Sequence, residues 1–350
     1  MDVGLTSEQL GLRDAVRAIL RTECPPEAAR QAMSDPERWR TLWKTVVDLG
    51  WADLAAPDSS DDFGPVELVV VLEECGAAIA PIPLLSSVGL AAGVLRACGP
   101  ALDGMLADIA GGVVATLAVH SPGRRLPGAP MTLRQGRLRG RAVAVPNATR
   151  AELTVTLASS GAGVLAAVAR SCDGVRIIAG DSTDPAQPVA DVEIDTEPVA
   201  TAPVDIESAL AAPLLAVAAD LVGVASAVLH RSVEHAKSRH QFGKPIGAFQ
   251  GIKHALADNY VGLERARSLT YAAAASPTAD WTAAALAKAA AGDAAINCAR
   301  TAVQVHGALA QTWEHDIHLY VRHAWQSAAL LGDSRALYHE VGRRFAGGAT

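Results

Sequence analysis

Apolar positions recur along this chain with two different periods, and the period changes twice. Up to about residue 110 the spacing is helical. Thr6 followed by Gln9 is a capping-box pattern, and it opens a helix carrying Leu10, Leu12, Val16, Ile19 and Leu20. Pro25-Pro26 ends it. A second helix is expected from about Asp35, with Pro36 in its first turn, through Trp39, Leu42, Trp43 and Val46 to Leu49-Gly50. The loop at 56–65 precedes a helix over 66–79, Pro81 and Pro83 punctuate, and another helix carries 90–98. The period then shortens to two. The run 113–119 is β-like, and 132–145 alternates around a Gly turn like a hairpin. Short runs at 153–157, 163–168, 174–178 and 189–194 are strands separated by turn residues, which predicts a small barrel or sandwich. From Ile206 the helical period returns over about 206–237, 249–275, 280–307 and 315–345, enough for a four-helix bundle. The expected architecture is α+β: a helical domain (1–110), a β domain (111–200) and a helical bundle (201–350).

Composition sharpens this picture. Half of the 350 residues are hydrophobic, yet only 4% are aromatic, so the cores must be built from Ala, Val and Leu in closely packed helices. A net charge of −7, with Arg and Lys scattered among acids, gives none of the basic patch that nucleic-acid binding needs. Five cysteines, an odd number without CxxC spacing, argue against a disulfide framework or a zinc site and for a reducing compartment. The start M-D-V-G-L-T-S-E-Q has neither a basic nor an apolar leader region. Apolar runs are too short to span a bilayer, and the one around 214–229 is interrupted by Asp220. These features predict a cytoplasmic, soluble protein without a membrane segment.

The stretch Arg239 to Gln250, R-H-Q-F-G-K-P-I-G-A-F-Q, lies between two long helical runs. A guanidinium offers planar, permanent recognition of phosphate. Phe242 can pack, and Gly243 lets the backbone bend or approach a ligand. A helix end with Arg in its last turn predicts the same residues, and the stretch alone does not separate the two.

The order helical domain, β domain, bundle, with R-x-x-F-G opening the second bundle helix, resembles the acyl-CoA dehydrogenase family. The likeness extends over nearly the whole chain, including D-L-G-W-A-D-L-A-A-P and E-L-V-V-V-L-E-E-C-G-A-A-I-A-P-I-P-L-L. Its most specific part is Q-V-H-G-A-L-A-Q-T-W-E-H-D-I-H-L-Y-V-R-H-A (304–324), where the family has Q-x-x-G-G-x-G, an aromatic residue, a short acidic stretch and L-x-R-D-A. The resemblance implies α,β-dehydrogenation of an acyl-CoA thioester. A carboxylate removes the α-proton while FAD takes the β-hydrogen as hydride. In that family each FAD lies across a subunit interface, with the flavin end in one subunit and the pyrophosphate and adenosine end against the next. Carried over by position, the resemblance places Arg239 and Gln241 at the pyrophosphate region, with Phe242 next to Gln241 among the cofactor-binding residues. Phe249 and Gln250 stand at a cofactor-side F/H-Q pair, and Gln304 and Gly307 match the later motif. Ala308 replaces its second glycine and Ala310 its third.

The flavin-side pattern departs from the family. Where T-E-P-x-A-G-S-D is expected, the chain has His120-Ser121-Pro122-Gly123 followed by Arg124-Arg125-Leu126. Where an aromatic residue precedes I-T/S-N, it has Ala144-Val145-Pro146-Asn147. The family base, Glu in Y-E-G-T, falls on Leu331 within Leu330-Leu331-Gly332-Asp333. The alternative E-R pair on the first bundle helix becomes Pro213-Leu214. No catalytic residue is therefore assigned. Asp220, seven residues after Pro213, and Asp333 are the carboxylates that could serve instead, Asp220 otherwise being paired with an Arg and Asp333 otherwise capping a helix over 334–345. Glu314 and Asp316 read as surface residues. His306, His315 and His318 lack the carboxylate or Cys company of a metal site, so no metal is expected.

The degraded flavin side beside a retained adenosine side resembles the base-lacking subunit of actinobacterial heteromeric acyl-CoA dehydrogenases acting on bulky acyl-CoAs such as steroid side chains. The implied partners are a homologous subunit in an α2β2 assembly, an acyl-CoA and an electron-transfer flavoprotein. The alternatives are a self-assembled flavoenzyme with a relocated Asp base, and a non-redox acyl-CoA-binding scaffold.

Overall fold

The structure is a computed structural model that describes residues 4–35, 37–56, 64–172, 174–184, 186–278 and 280–347. Pro36 and most of the loop at 56–65 lie outside the described residues. The first helices are α1 (Ser7–Glu23), α2 (Pro26–Ser34), α3 (Trp39–Asp48), α4 (Pro65–Ala77), α5 (Ala92–Arg96) and α6 (Asp103–Ala110). At the start of α1 the Gln9 N–H donates to Thr6 Oγ1 at 3.2 Å, and the Gln9 side-chain oxygen accepts from the Thr6 N–H at 3.0 Å. Pro25-Pro26 ends α1 as expected, but it also begins α2. Pro26 occupies a first-turn position, where a missing N–H costs nothing. α2 and α6 are short and were not anticipated; neither is long enough for the apolar period to stand out. The segment expected as a helix over 90–98 begins earlier, as a wholly buried π-helical turn, Leu85–Ala91.

The strands are β1 (Ala115–Ala118), β2 (Met131–Arg134), β3 (Arg137–Pro146), β4 (Leu153–Ser160), β5 (Gly163–Arg170), β6 (Val175–Ala179), β7 (Val189–Thr196) and β8 (Ala200–Pro203). They form one mixed sheet in the order β6-β7-β3-β2-β4-β5-β8, with β1 parallel to β4 on the side that β2 also uses. The sheet curls on itself. Ala167 and Ala169 of β5 share a small core with Ala190, Val192 and Ile194 of β7, although three strands separate them in the sheet order. Val155 and Leu157 face the other way, into the core continuous with the helices.

The bundle consists of α7 (Ile206–Ser238), α8 (Gln250–Ala274), α9 (Trp281–His306), α10 (Ile317–Ala329) and α11 (Ser334–Gly347). Strands β9 (His240–Gln241) and β10 (Lys244–Pro245) link α7 to α8. The run expected as helix over 315–345 is broken, at the point where the alternative reading of Asp333 put a helix cap. Leu331 (φ +56°) and Gly332 (φ +103°) are left-handed, and Asp333 Oδ1 accepts from the Ala336 N–H at 2.8 Å to start α11. The apolar spacing continues across the break, so the period alone could not reveal it.

α7 is the central helix, and Asp220 does not interrupt it. By length and composition it could cross a bilayer, but 78% of its most apolar window is buried inside the protein. It packs against its neighbours at backbone distance. A Cβ on Gly76 of α4 would lie 2.2 Å from the Asp220 carbonyl oxygen, and one on Gly223 would lie 1.9 Å from that of Glu73. Gly223→Ala is therefore expected to force α4 and α7 apart and lower the unfolding free energy by about 1–3 kcal/mol. Denaturant midpoints read this directly, and an unchanged midpoint contradicts the close approach.

Candidate functional site

The cofactor-type stretch starts where α7 stops. The Arg239 backbone N–H donates to the His235 carbonyl at 2.8 Å, which makes Arg239 the C-cap of α7. Its capping role uses only the backbone, so the guanidinium is free for other work. The chain then reverses through Phe242 (φ +53°) and Gly243 (φ +78°), the two left-handed positions of a tight hairpin turn. Gly243 supplies the bend as expected. Phe242 does not pack: it stands at the tip, 90% exposed, with only an edge-on contact to Phe249 at 6.1 Å. Phe249 is the N-cap of α8 and offers no side-chain cap, so the leading N–H groups of that helix remain available to an anion. Lys244 Nζ lies 4.4 Å over the Phe249 ring. Arg239, Gln241 and Gln250 are exposed, and Arg239 has no ion-pair partner among the described residues.

The second segment starts where α9 stops. Gly307 follows His306 with φ +63°, a conformation that favours glycine, and no heavy atom lies within 4 Å of where its Cβ would be. Gln304, Gly307 and Ala308 are exposed. The two segments meet because His235 and His306 stack, with ring centroids 4.3 Å apart. Arg239, Gln241, Gln250, Gln304, Gly307 and Ala308 thus sit at one end of the bundle, with Phe249 half-buried beside them.

The three segments that depart from the family's flavin-side pattern also come together. His120 to Arg125, Val143 to Pro146 and Leu330 to Asp333 contribute to the walls of one cleft of about 510 Å³, shared with Trp325 and Gln187. Leu331, in the expected base position, is 1% exposed. Its N–H donates to His120 Nε2 at 3.1 Å, so the proton of that imidazole is on Nδ1. Burial first, and Lys288 second, hold His120 down to about 4. Lys288 is fully buried and donates to the Ala328 carbonyl at 2.6 Å and to the Gly332 carbonyl. It thereby satisfies backbone acceptors that the broken helix leaves without partners. Burial lowers its amine to about 7, against the pull of Asp333 and Asp293.

Neither expected substitute base is free. Arg125 of the sheet domain pairs with Asp333 across the cleft, and Asp333 also caps α11. Burial pushes that carboxyl up, but the Ala336 N–H and Arg125 bring it below its ordinary value. Asp220 is 4% exposed and bound to His323, at 3.0 and 2.9 Å from Nε2. The other ring nitrogen, Nδ1, lies 2.6 Å from Asp184. Ionised carboxylates only accept, so both ring nitrogens donate and the ring is an imidazolium. Burial alone would lower His323, but Asp220 and then Asp184 outweigh it and hold the imidazole well above its ordinary value. Asp181 also lines the cleft and is exposed, with no ion-pair partner among the described residues.

One reading from the sequence needs correction here: the partner expected for Asp220 was an Arg, and it is His323. The loop joining β6 to β7 supplies the buried Asp184, whose N–H donates to Gln326 Oε1 at 3.0 Å. His323 carried a usable signal, because it stands where the resemblance has the Asp of R-D-A. Asp184 carried none. Of the three late histidines, His306 and His315 are in ring contact at 5.0 Å, while His318 stacks on Trp313.

The chain matches the acyl-CoA dehydrogenase N-terminal domain over residues 6–101 and the acyl-CoA dehydrogenase C-terminal domain over 205–345. It is 34% identical to acyl-CoA dehydrogenase IpdE2 of Mycolicibacterium smegmatis, covering 95% of this chain and 96% of that one. It is 30% identical to acyl-CoA dehydrogenase FadE27 of Mycobacterium tuberculosis over 99% of each. Among solved structures, the ChsE4-ChsE5 complex from Mycobacterium tuberculosis contains a chain 29% identical, with a TM-score of 0.87 and 99% of both chains covered. The Tcur3481-Tcur3483 steroid ACAD G363A variant is 26% identical, with a TM-score of 0.89 over 98% of both. With both helical units matched and relatives aligned across the sheet between them, the chain belongs to the acyl-CoA dehydrogenase family of oxidoreductases.

Proposed function

We propose that this chain is the base-lacking subunit of a heteromeric acyl-CoA dehydrogenase. It lends the adenosine and pyrophosphate side of a shared FAD site to a homologous partner that supplies the base. The observation that carries this reading is an asymmetry. The flavin-side cleft is bridged by Arg125 and Asp333, with Leu331 buried at the base position. At the other site Arg239, Gln241, Gln250, Gln304 and Gly307 are exposed together. An unpaired guanidinium, an uncapped helix start and an open glycine turn suit a pyrophosphate. An ion-paired cleft whose base position is leucine does not suit a flavin and an α-proton.

FAD, when bound, supplies the hydride acceptor. Arg239 and Gln241 would hold the pyrophosphate, the α8 start would add backbone N–H donors, and Gln250 and Gln304 would offer amides to the ribose and adenine. Phe249 forms an apolar wall, and the Gly307 backbone permits close approach. A neighbour described as a complex of two chains and another described as a steroid ACAD support an α2β2 assembly acting on a bulky, steroid-derived acyl-CoA. An electron-transfer flavoprotein is the proposed electron acceptor.

A self-contained flavoenzyme would have to use Asp181, since Asp220 and Asp333 are engaged. The flavin-to-protein ratio separates the readings. This chain alone should purify without flavin, and with its homologous partner it should hold about one FAD per pair of unlike chains. One FAD per chain when alone overturns the proposal, and no flavin in either preparation favours a non-redox scaffold.

A further inference from the structure

Three imidazoles meet under the two cofactor-type segments. His306, 6% exposed, is the middle ring. His235 stacks on it at 4.3 Å with 27° between planes, and His315 meets it edge-on at 5.0 Å. Each ring is tied to one of the segments. The carbonyl of His235 receives the Arg239 N–H, His306 directly precedes Gly307, and His315 begins the approach to α10. The ring nitrogens have assigned roles. His306 Nδ1 donates to the Ala302 carbonyl at 2.9 Å, while His315 Nδ1 accepts from the Ile317 N–H at 3.2 Å.

We propose that His235, His306 and His315 are positioning residues: they form a joint that clamps the Arg239 hairpin against the Gly307 turn, and the clamp holds only while the stacked pair His235 and His306 is uncharged. Its relevance to FAD rests on the half-site reading above. A proton on His235 places a cation on the central ring, close to Arg239. The surrounding charges make this worse. Arg231 and Arg239 from α7 and its cap, with His318 in the first turn of α10, face the joint with positive or ionisable groups. Glu234 is paired with Lys237 and Asp316 with Arg30, so neither carboxylate is free to compensate.

Burial, followed by His315 and Arg239, holds His235 below its ordinary value. Burial also takes His306 down to about 4, against the Ala302 carbonyl, which favours its proton. The sign follows from this. A loosened joint, with the His235 and His306 imidazoles returning toward 6.5, takes up protons before the closed one does, so the closed form loses ground as pH falls below 6.5.

The test is amide hydrogen exchange of the full chain at pH 8 and pH 5.5, corrected for intrinsic rates, with the middle of α9 as internal control. Segments 240–250 and 304–317 should lose protection by about tenfold at the lower pH while the control holds. A variant carrying His235→Phe and His306→Phe keeps both stacked rings but cannot titrate there, and it should stay protected at both pH values. Protection independent of pH in the unaltered chain, or a variant that follows it, overturns the proposal. The same two proteins assembled with the partner then report flavin retention at pH 5.5. Retention restored by the variant supports the joint as part of the cofactor site. If exchange behaves as expected while retention does not follow, the joint stands and the half-site reading fails.

Discussion

Replacing His323 with Ala is expected to lower the free energy of unfolding by about 3–5 kcal/mol, the cost of stranding a buried charge partner. The ring is 1% exposed and supplies hydrogen bonds to two carboxylates that are themselves buried, Asp184 and Asp220. Removing it leaves Asp220 without a donor to its carboxylate among the described residues and leaves Asp184 with the Ala186 N–H at 2.9 Å. Adding Asp220→Asn to the variant should recover part of the loss, because a neutral amide tolerates burial better than an unpaired carboxylate. Urea unfolding of the three proteins at pH 7 gives the answer, and a loss within 1 kcal/mol would show that the carboxylates do not depend on the ring. The pH dependence has a definite sign. His323 is held well above its ordinary value in the folded chain, so its stabilisation is complete below about 6.5 and is lost as pH rises through the folded value. The gap between unaltered and substituted protein should therefore narrow in alkaline solution.

Arg239→Ala should weaken flavin retention in the assembled enzyme by about 10–100-fold, the worth of a charge-assisted hydrogen bond to phosphate. The fold should be nearly indifferent, since the side chain is exposed and unpaired and the α7 C-cap is made by the backbone. Flavin release on dilution of the complex, measured beside a thermal melt, separates the two effects. Unchanged retention, or a melt that falls in step with retention, counts against a phosphate contact. Raising the salt concentration should mimic the substitution in part, because an exposed guanidinium is screened.

The parts of this fold that could be read from sequence are those with long, uninterrupted periods. α7, α8 and α9, and the change to strands after residue 110, are visible because apolar spacing persists over many residues. Elements that depend on one or two backbone angles are not. The break at Leu331–Gly332 lies inside a continuing helical period, and the π-helical turn at Leu85–Ala91 lies inside a run that is apolar on every side. The candidate site divides in the same way. Arg239 and Gln304 belong to local motifs and could be picked out as candidates from sequence, as could Leu331 at the position where the resemblance expects the base. The Asp184–His323–Asp220 cluster joins residues 103 and 139 positions apart, and no local pattern encodes such a meeting. Phe242 was misjudged because an aromatic residue normally finds a neighbour, whereas the left-handed turn places this one at a hairpin tip.

The buried Lys288 amine beneath the helix break has a thermodynamic counterpart in His323. Lys288 sits at about 7 when folded and returns toward 10.5 when exposed, so unfolding in mildly alkaline solution draws a proton from the buffer. His323 does the reverse, releasing the proton that its two carboxylates had held. Over the range where both apply, the chain exchanges protons internally and its net uptake on unfolding is small. Calorimetric enthalpies should then vary little between buffers of different ionisation heat, even though two deeply buried groups are changing charge.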